Sequence, residues 1–332
     1  PMAGACPPSL SIAVANAGGM GACGVLMMDK DAIAGWAREV RAGSNGAFQL
    51  NTWIPDPAPA RNREQEAAVR AFLADWGPDV PEDAADGPPP DFDAQCEAMI
   101  AAGPKVISSI MGLYPPDFVD CMKERQIKWY ATVTTVAEAH AAEAAGADVL
   151  IAQGMEAGGH RGAFEAGEAG TAMIGLFSLL PAVVDAVDIP VVATSGIADA
   201  RGMAAALLLG ASGVQIGTCL LRTPEANIAP AWADAIGAAA PEGTAVTRAF
   251  SGRLGRSIRT AYFAAASADD APEPAPYPIQ RHLTQAMRSA AAKSDRIDGM
   301  QAWAGQSAGL SRDIPAGDVI NKLWQGAQDL LD

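Results

Sequence analysis

The stretch QGMEAGGHRG, residues 153–162, sets one of only three histidines directly behind two glycines and the apolar run DVLIA. Histidine is the side chain whose ordinary pKa lies nearest neutrality, so His160 is the leading candidate for proton chemistry. Gly158 and Gly159 carry no side chain and let a backbone approach a flat or bulky ligand. The plain alternative is a loop histidine satisfied by backbone groups. The other two histidines read as structural: His140 sits mid-helix in an Ala/Glu-rich segment, and His282 lies in a C-terminal helical part. Asn51 and Gln153 each end an apolar run. Their carboxamides offer donors and acceptors suited to the edge of a ring system, with the capping of strand ends as the plain alternative. Glu156 could act as a base, but acidic loop residues in so acidic a chain are usually solvated.

Two further loops could hold an anion. ATSGIADARG and QIGTCL each follow an apolar run and each offer a glycine, a hydroxyl residue and free backbone N–H groups. The first also opens a helix, whose N-terminus favours phosphate. Alone, a Ser-Gly pair at a strand end is most often a turn. Together, at neighbouring strand ends, the two loops read as a phosphate site. There is no G-x-G-x-x-G between a strand and a helix, no Walker loop, no H-E-x-x-H and no C-x-x-C, so no metal site is expected.

The elements that position these loops alternate. GACGVL precedes a helix predicted over 29–42, capped by Asp29, with Ile33, Trp36 and Val40 on one face and Gly43 as a stop. FQLNTWI, KVISSIM, IKWYATV, DVLIAQG, PVVATSG and GVQIGT read as further strands. Thr135 and Glu138 have capping-box spacing at the start of another helix. The opening PMAG reads as the end of a truncated first strand, with a few residues expected upstream of this numbering. Counting it, eight short strands alternate with helices, which argues for a (β/α)8 TIM barrel over residues 1–223, with a doubly wound sheet as the structural alternative. Residues 60–102 depart from the rhythm and read as an inserted helix and a Pro-rich acidic loop with no chemistry of their own. Residues 224–332 read as a helical subdomain covering one barrel face and carry the arginine-rich stretch SGRLGRSIR.

The composition narrows the partners. The 332 residues are 50% hydrophobic and 18% charged, which is a globular profile. A net charge of −15 repels nucleic acid and anionic lipid. Neither uncharged run, near the start or over 202–221, reads as a signal peptide or a membrane span, since prolines and glycines interrupt them. Five scattered cysteines, Cys6, Cys23, Cys96, Cys121 and Cys219, read as reduced thiols and favour the cytoplasm. The oligomeric state is open, a homodimer being among the assemblies allowed.

Taken in order, PMAG, AVANAGGMGACG, QLN, QGMEAGGHRG, IPVVATSGIADARG and GVQIGTCLLRTPEA resemble the nitronate monooxygenase family, over residues 1–224. The resemblance implies a (β/α)8 barrel with non-covalent FMN. It implies oxidation of alkyl nitronates by O2, via a flavin semiquinone, to a carbonyl compound and nitrite. The family's histidine falls on His160, at least partly protonated so as to stabilise the nitro group, or a general base if the substrate is a neutral nitroalkane. The flavin ring would lie over Met2 and Ala3, near Asn51, Gln153, Gly158 and Gly159. Its phosphate would sit against Thr194, Ser195, Gly196, Gln215, Ile216, Gly217 and Thr218. Where some members carry a lysine near the flavin, this chain has Thr132. A flavin-dependent enoyl-acyl carrier protein reductase using NAD(P)H shares a similar EAGGH loop, and the acidic charge and the 60–102 insertion count against it. A non-catalytic phosphate-binding barrel is the alternative of another class.

Overall fold

In the computed structural model, which describes residues 1–332, seven parallel strands form one curled sheet. They are β1 (Gly21–Gly24), β2 (Phe48–Trp53), β3 (Val106–Ile110), β4 (Lys128–Val133), β5 (Val149–Gln153) and, after the two-residue β6 (Gly159–His160), β7 (Val191–Thr194) and β8 (Gly213–Gln215). Sheet order follows chain order, as in a TIM barrel, and helices separate the strands. β2 and β3 are buried nearly end to end, as expected for strands covered on both faces. The curl brings opposite parts of the sheet together. Gln49 of β2 donates from Nε2 to Oε1 of Gln215 in β8, at 3.0 Å.

The expected first strand is not a strand. Met2 O accepts from Ala5 N in a turn, and Gly4 has a left-handed φ of +81°. The segment still fills the gap between β1 and β8. A Cβ on Gly24 would meet Ala3 N at 3.0 Å, and one on Gly217 would meet Met2 Sδ at 3.5 Å. In this chain a turn stands at the eighth barrel position, and the left-handed Gly4 breaks its extension.

Helix starts follow the sequence signals. Asp29 accepts from Ala32 N at 2.9 Å and caps helix Lys30–Gly43. Thr135 accepts from Glu138 N at 3.1 Å and caps helix Val136–Ala144. The Glu138 carboxylate reaches Thr134 N and also accepts from Phe164 N at 2.8 Å, so this cap tethers the loop beyond His160.

The region after residue 223 is neither purely helical nor one unit. It contributes β9 (Thr244–Thr247) and β10 (Gly255–Ile258), which form an antiparallel sheet with β6 in the order β6-β10-β9. Its last helix, Ala316–Leu331, packs on helices Ala200–Leu208 and Pro8–Asn16, and buries Ala316, Val319, Leu323 and Ala327 in the main barrel core. An amphipathic helix goes where its apolar face is covered. The insertion also gains a packing role. Val69 and Leu73 of helix Arg63–Leu73 join Phe250, Tyr262, Ile279 and Leu283 in a second core.

Candidate functional site

His160 is held by an edge of sheet that only the C-terminal region can supply. Gly255 of β10 pairs with His160 and Arg256 with Gly159, and Arg161 N donates to Leu254 O at 2.9 Å. Gln153, at the end of β5, braces the same turn from inside. Its Nε2 donates to His160 O at 3.1 Å and its Oε1 accepts from Gly162 N at 2.8 Å. The Arg161 guanidinium adds bonds to Gln153 O and Ala172 O, at 2.6 and 2.8 Å. Gln153 is therefore a loop brace through one donor and one acceptor of its amide.

The imidazole is clamped on three sides. Trp53, at the end of β2, meets it edge-to-face at 4.6 Å, and Trp303 does so at 4.9 Å. Such pairs contribute about 0.5–1.5 kcal/mol beyond area burial. Ser251 Oγ lies 2.7 Å from His160 Nε2. Enclosure of the ring, reinforced by the positive charges of Arg253, Arg281 and Arg288, pushes its pKa down to about 3. A ring held this low is neutral at physiological pH. The same three arginines make the surroundings of the ring attractive to an anion, despite the chain's overall charge.

The two glycines before His160 have different reasons. A Cβ on Gly158 would meet Gly305 N at 2.5 Å and the Ala304 carbonyl carbon at 2.6 Å. The space of its missing side chain is taken by the crossing backbone of Ala304 and Gly305. Gly159 has a φ of +78° with nothing within 4 Å of a Cβ, so it answers a backbone demand beside open space.

The anion loops lie side by side at the ends of β7 and β8. Thr194 Oγ1 donates to Gln215 O at 2.8 Å and links them. Ser195 has a φ of +119°, a strained conformation for a residue with a side chain, and is held there by an Oγ bond to Gly154 O at 2.8 Å. Gly196 is exposed with a φ of +64°. No protein acceptor pairs with the backbone N–H of Gly196, Ile216 or Gly217, so this corner offers converging free donors. Every residue from Gly213 to Thr218 is only half-buried, unlike the sealed strands across the sheet. Asn51 faces the same end from β2. Its Nδ2 donates to Ser108 O and Oγ at 3.1 and 3.0 Å, and Oδ1 has no partner in the chain. Thr132 is buried near the end of β4, and Met2 and Ala3 lie beside Gly217 and Gly24. Glu156 is not a free base: its carboxylate accepts from Leu176 N at the start of helix Leu176–Val184. His140 is exposed on its helix, and no trio of His, Cys, Asp or Glu side chains is placed to hold a metal ion.

Sequence reasoning missed Trp53, Ser251 and Trp303, and the segment from Trp303 to Ser307. That segment stitches three loops: Gly305 N donates to Thr218 Oγ1 at 3.0 Å, Gln306 N to Glu156 O at 3.0 Å, and Ser307 Oγ to Gly196 O. Its pattern carries no periodicity and gives no local signal; only the arginine-rich stretch beginning at Ser251 stood out. A separate open cleft of about 1090 Å³ runs between helices Lys30–Gly43 and Phe92–Ala102 and reaches Tyr277, whose ring packs on Trp53 at 5.1 Å. None of the anion-loop residues lines it.

Comparison with known proteins agrees with this geometry. A family model described as nitronate monooxygenase matches residues 1–326. A nitronate monooxygenase of Paraburkholderia phytofirmans is 35% identical, over 97% of this chain and 89% of its own length. One from Pseudomonas aeruginosa is 34% identical, over 97% and 93%. Among solved structures, nitroalkane oxidase from Streptomyces ansochromogenes superposes with a TM-score of 0.90 at 33% identity, covering 99% of this chain and 94% of that one. FabK from Thermotoga maritima is more distant, with a TM-score of 0.75 at 27% identity over 99% and 91%. The motifs at the strand ends, the barrel that carries them and the match along nearly the whole length agree: the chain belongs to the nitronate monooxygenase family.

Proposed function

We propose that this protein is an FMN-dependent nitronate monooxygenase that converts alkyl nitronates, and neutral nitroalkanes, to a carbonyl compound and nitrite with O2. The observation that carries the reading is a neutral, clamped His160 in a field of three arginines, on the same barrel end as a cluster of unpaired backbone donors. The donor set fits FMN. The N–H groups of Gly196, Ile216 and Gly217, with the hydroxyl of Thr218, suit its phosphate. Asn51 offers an acceptor to the ring edge, and Met2, Ala3 and Thr132 border the space. When bound, FMN supplies the redox chemistry between substrate and oxygen.

The chain's own residues handle charge. The arginines near His160 draw in an anionic nitronate. That negative charge favours protonation of the ring, so His160 gains a proton as the substrate arrives and stabilises the nitro group. With a neutral nitroalkane, the ring accepts the proton leaving carbon. Trp53 and Trp303 keep water from the imidazole faces. The five free thiols support a reducing compartment, the cytoplasm. No helix is long and apolar enough to cross a membrane.

The test is nitrite release in air, without nicotinamide, from a panel of nitronates and nitroalkanes. His160→Asn should keep FMN and lose about 10²–10⁴-fold of nitroalkane turnover, the usual contribution of a general base. The loss should be smaller with preformed nitronates. Unchanged nitroalkane turnover in that variant rejects the role of His160. Flavin bleaching by NADH in the absence of nitronate, with no nitrite from any substrate, would favour the enoyl reductase reading instead.

A further inference from the structure

The hydroxyl of Ser251, at the head of the arginine-rich stretch, is the one polar partner of the His160 ring. It is fully buried, and its Oγ has three polar neighbours: His160 Nε2 at 2.7 Å, Arg253 O at 3.2 Å and Arg253 N at 3.3 Å. A serine hydroxyl has one proton to donate and two lone pairs to receive. Arg253 N–H is a donor, so it takes one lone pair. The Arg253 carbonyl is buried with no other donor in the chain, and leaving such a group unpaired costs free energy. Donation of the single Ser251 proton to Arg253 O satisfies it. The second lone pair is then left for His160 Nε2, which must carry the proton. All three contacts are made only in this arrangement; turning the hydroxyl toward Nε2 abandons the carbonyl.

We propose that Ser251 is a positioning residue that holds the neutral His160 ring as its Nε2–H tautomer and so leaves Nδ1 as the bare, working nitrogen of the site. Nδ1 has no partner in the chain and is not sealed from the surroundings, in contrast to Nδ1 of His282, which is both buried and unpaired. Trp53 and Trp303 pack against the ring at 77° and 64° and restrict its rotation. A ring flip would place Cε1 against Ser251 and lose the hydrogen bond. The serine is itself immobile. Phe250 O accepts from Thr284 Oγ1 at 2.6 Å on one side. On the other, Gly252 has a φ of +88° and lies so close to Tyr277 that a Cβ would meet its N at 2.4 Å. The turn that presents Ser251 is therefore fixed by the second core, and the tautomer is set at a distance from the barrel.

This inference rests on the assignment of His160 as the proton-handling group, but its primary test does not depend on turnover. The holoenzyme is labelled with 15N in its imidazoles. The chain has only three histidines, so the His160→Asn spectrum assigns the His160 signals by difference. In the unmodified protein, His160 should be neutral with its proton on Nε2. Ser251→Ala should release the constraint and give a mixed or Nδ1–H ring, while the His140 and His282 signals stay in place to report an intact fold. Ser251→Thr keeps the hydroxyl and should restore the Nε2–H ring. Nitroalkane kcat should fall about tenfold or more in Ser251→Ala, the order expected when the outer partner of a functional histidine is lost, with KM little changed and recovery in Ser251→Thr. A His160 ring protonated on Nδ1 in the unmodified protein overturns the proposal, as does a tautomer unchanged by Ser251→Ala. If the tautomer behaves as stated but no substrate yields nitrite, the proposed function fails and the Ser251 assignment stands.

Discussion

The imidazole of His160 packs at steep angles against two indole rings and meets one hydroxyl, with three guanidinium groups contributing to its field. The low pKa has a consequence for stability with a definite sign. The ordinary value of 6.5 applies in the unfolded chain, while the folded ring sits at about 3. Below pH 6.5 the unfolded chain therefore binds a proton that the folded one does not. The contribution is fully present above pH 6.5 and is lost as the pH falls toward 3. Melting temperatures of the unmodified protein should consequently drop more steeply over that window than those of His160→Asn, and parallel curves would contradict the depressed value. Position 160 was legible in the sequence as a lone histidine on a strand-end loop. Its neutrality was not, because each charge that sets it comes from about 90 to 130 residues further along the chain.

At the scale of elements, the decisive device is a borrowed sheet edge. β6 exists only because β10 offers it partners, and a two-residue strand has no signature that a sequence reading could detect. The strands of the parallel sheet were legible, since short runs rich in β-formers, such as VLIAQ in β5, recur between helical segments. The glycines of the His160 loop were legible as a feature but not in their reasons. Those reasons make a paired prediction. Gly158→Ala should destabilise the protein even without cofactor, by about 1–3 kcal/mol or more, because backbone blocks the new methyl. Gly159→Ala meets no atom and should cost only the left-handed backbone, about 1–2 kcal/mol. Denaturant titrations of the cofactor-free variants check the order. Equal tolerance of both substitutions would return Gly158 to the role of clearing space for a ligand.

For the whole molecule, the first and last segments of the chain complete the barrel. A turn at Met2–Gly4 stands where an eighth strand would, and helix Ala316–Leu331 covers helices Ala200–Leu208 and Pro8–Asn16. The alternation of strand and helix made the barrel readable. The closing helix was read as cover for a face because an amphipathic pattern states that a helix is half-buried, not against what. Truncation after Pro315 removes Val319 and Leu323 and exposes the apolar surface they cover in the barrel core. At about 1.5–3 kcal/mol for each large apolar side chain, that removes a substantial share of the roughly 5–15 kcal/mol that holds a domain together. The truncated chain should lose its cooperative thermal transition by circular dichroism, and an unchanged melting temperature would reject the closing role.

The Trp303–Ser307 segment, which ties Thr218, Glu156 and Gly196 together, also imposes an order on the life of the molecule. Ribosomes deliver the chain from its N-terminus, so the parallel strands emerge well before the residues that pin their loops. A nascent chain can curl its sheet, yet His160 has no Ser251 until about ninety further residues have followed it, and the anion corner has no tether until Trp303–Ser307 emerges. Competence to take up a cofactor thus waits on segments made long after the parallel strands, and a product stalled before Trp303 is a barrel without a finished mouth.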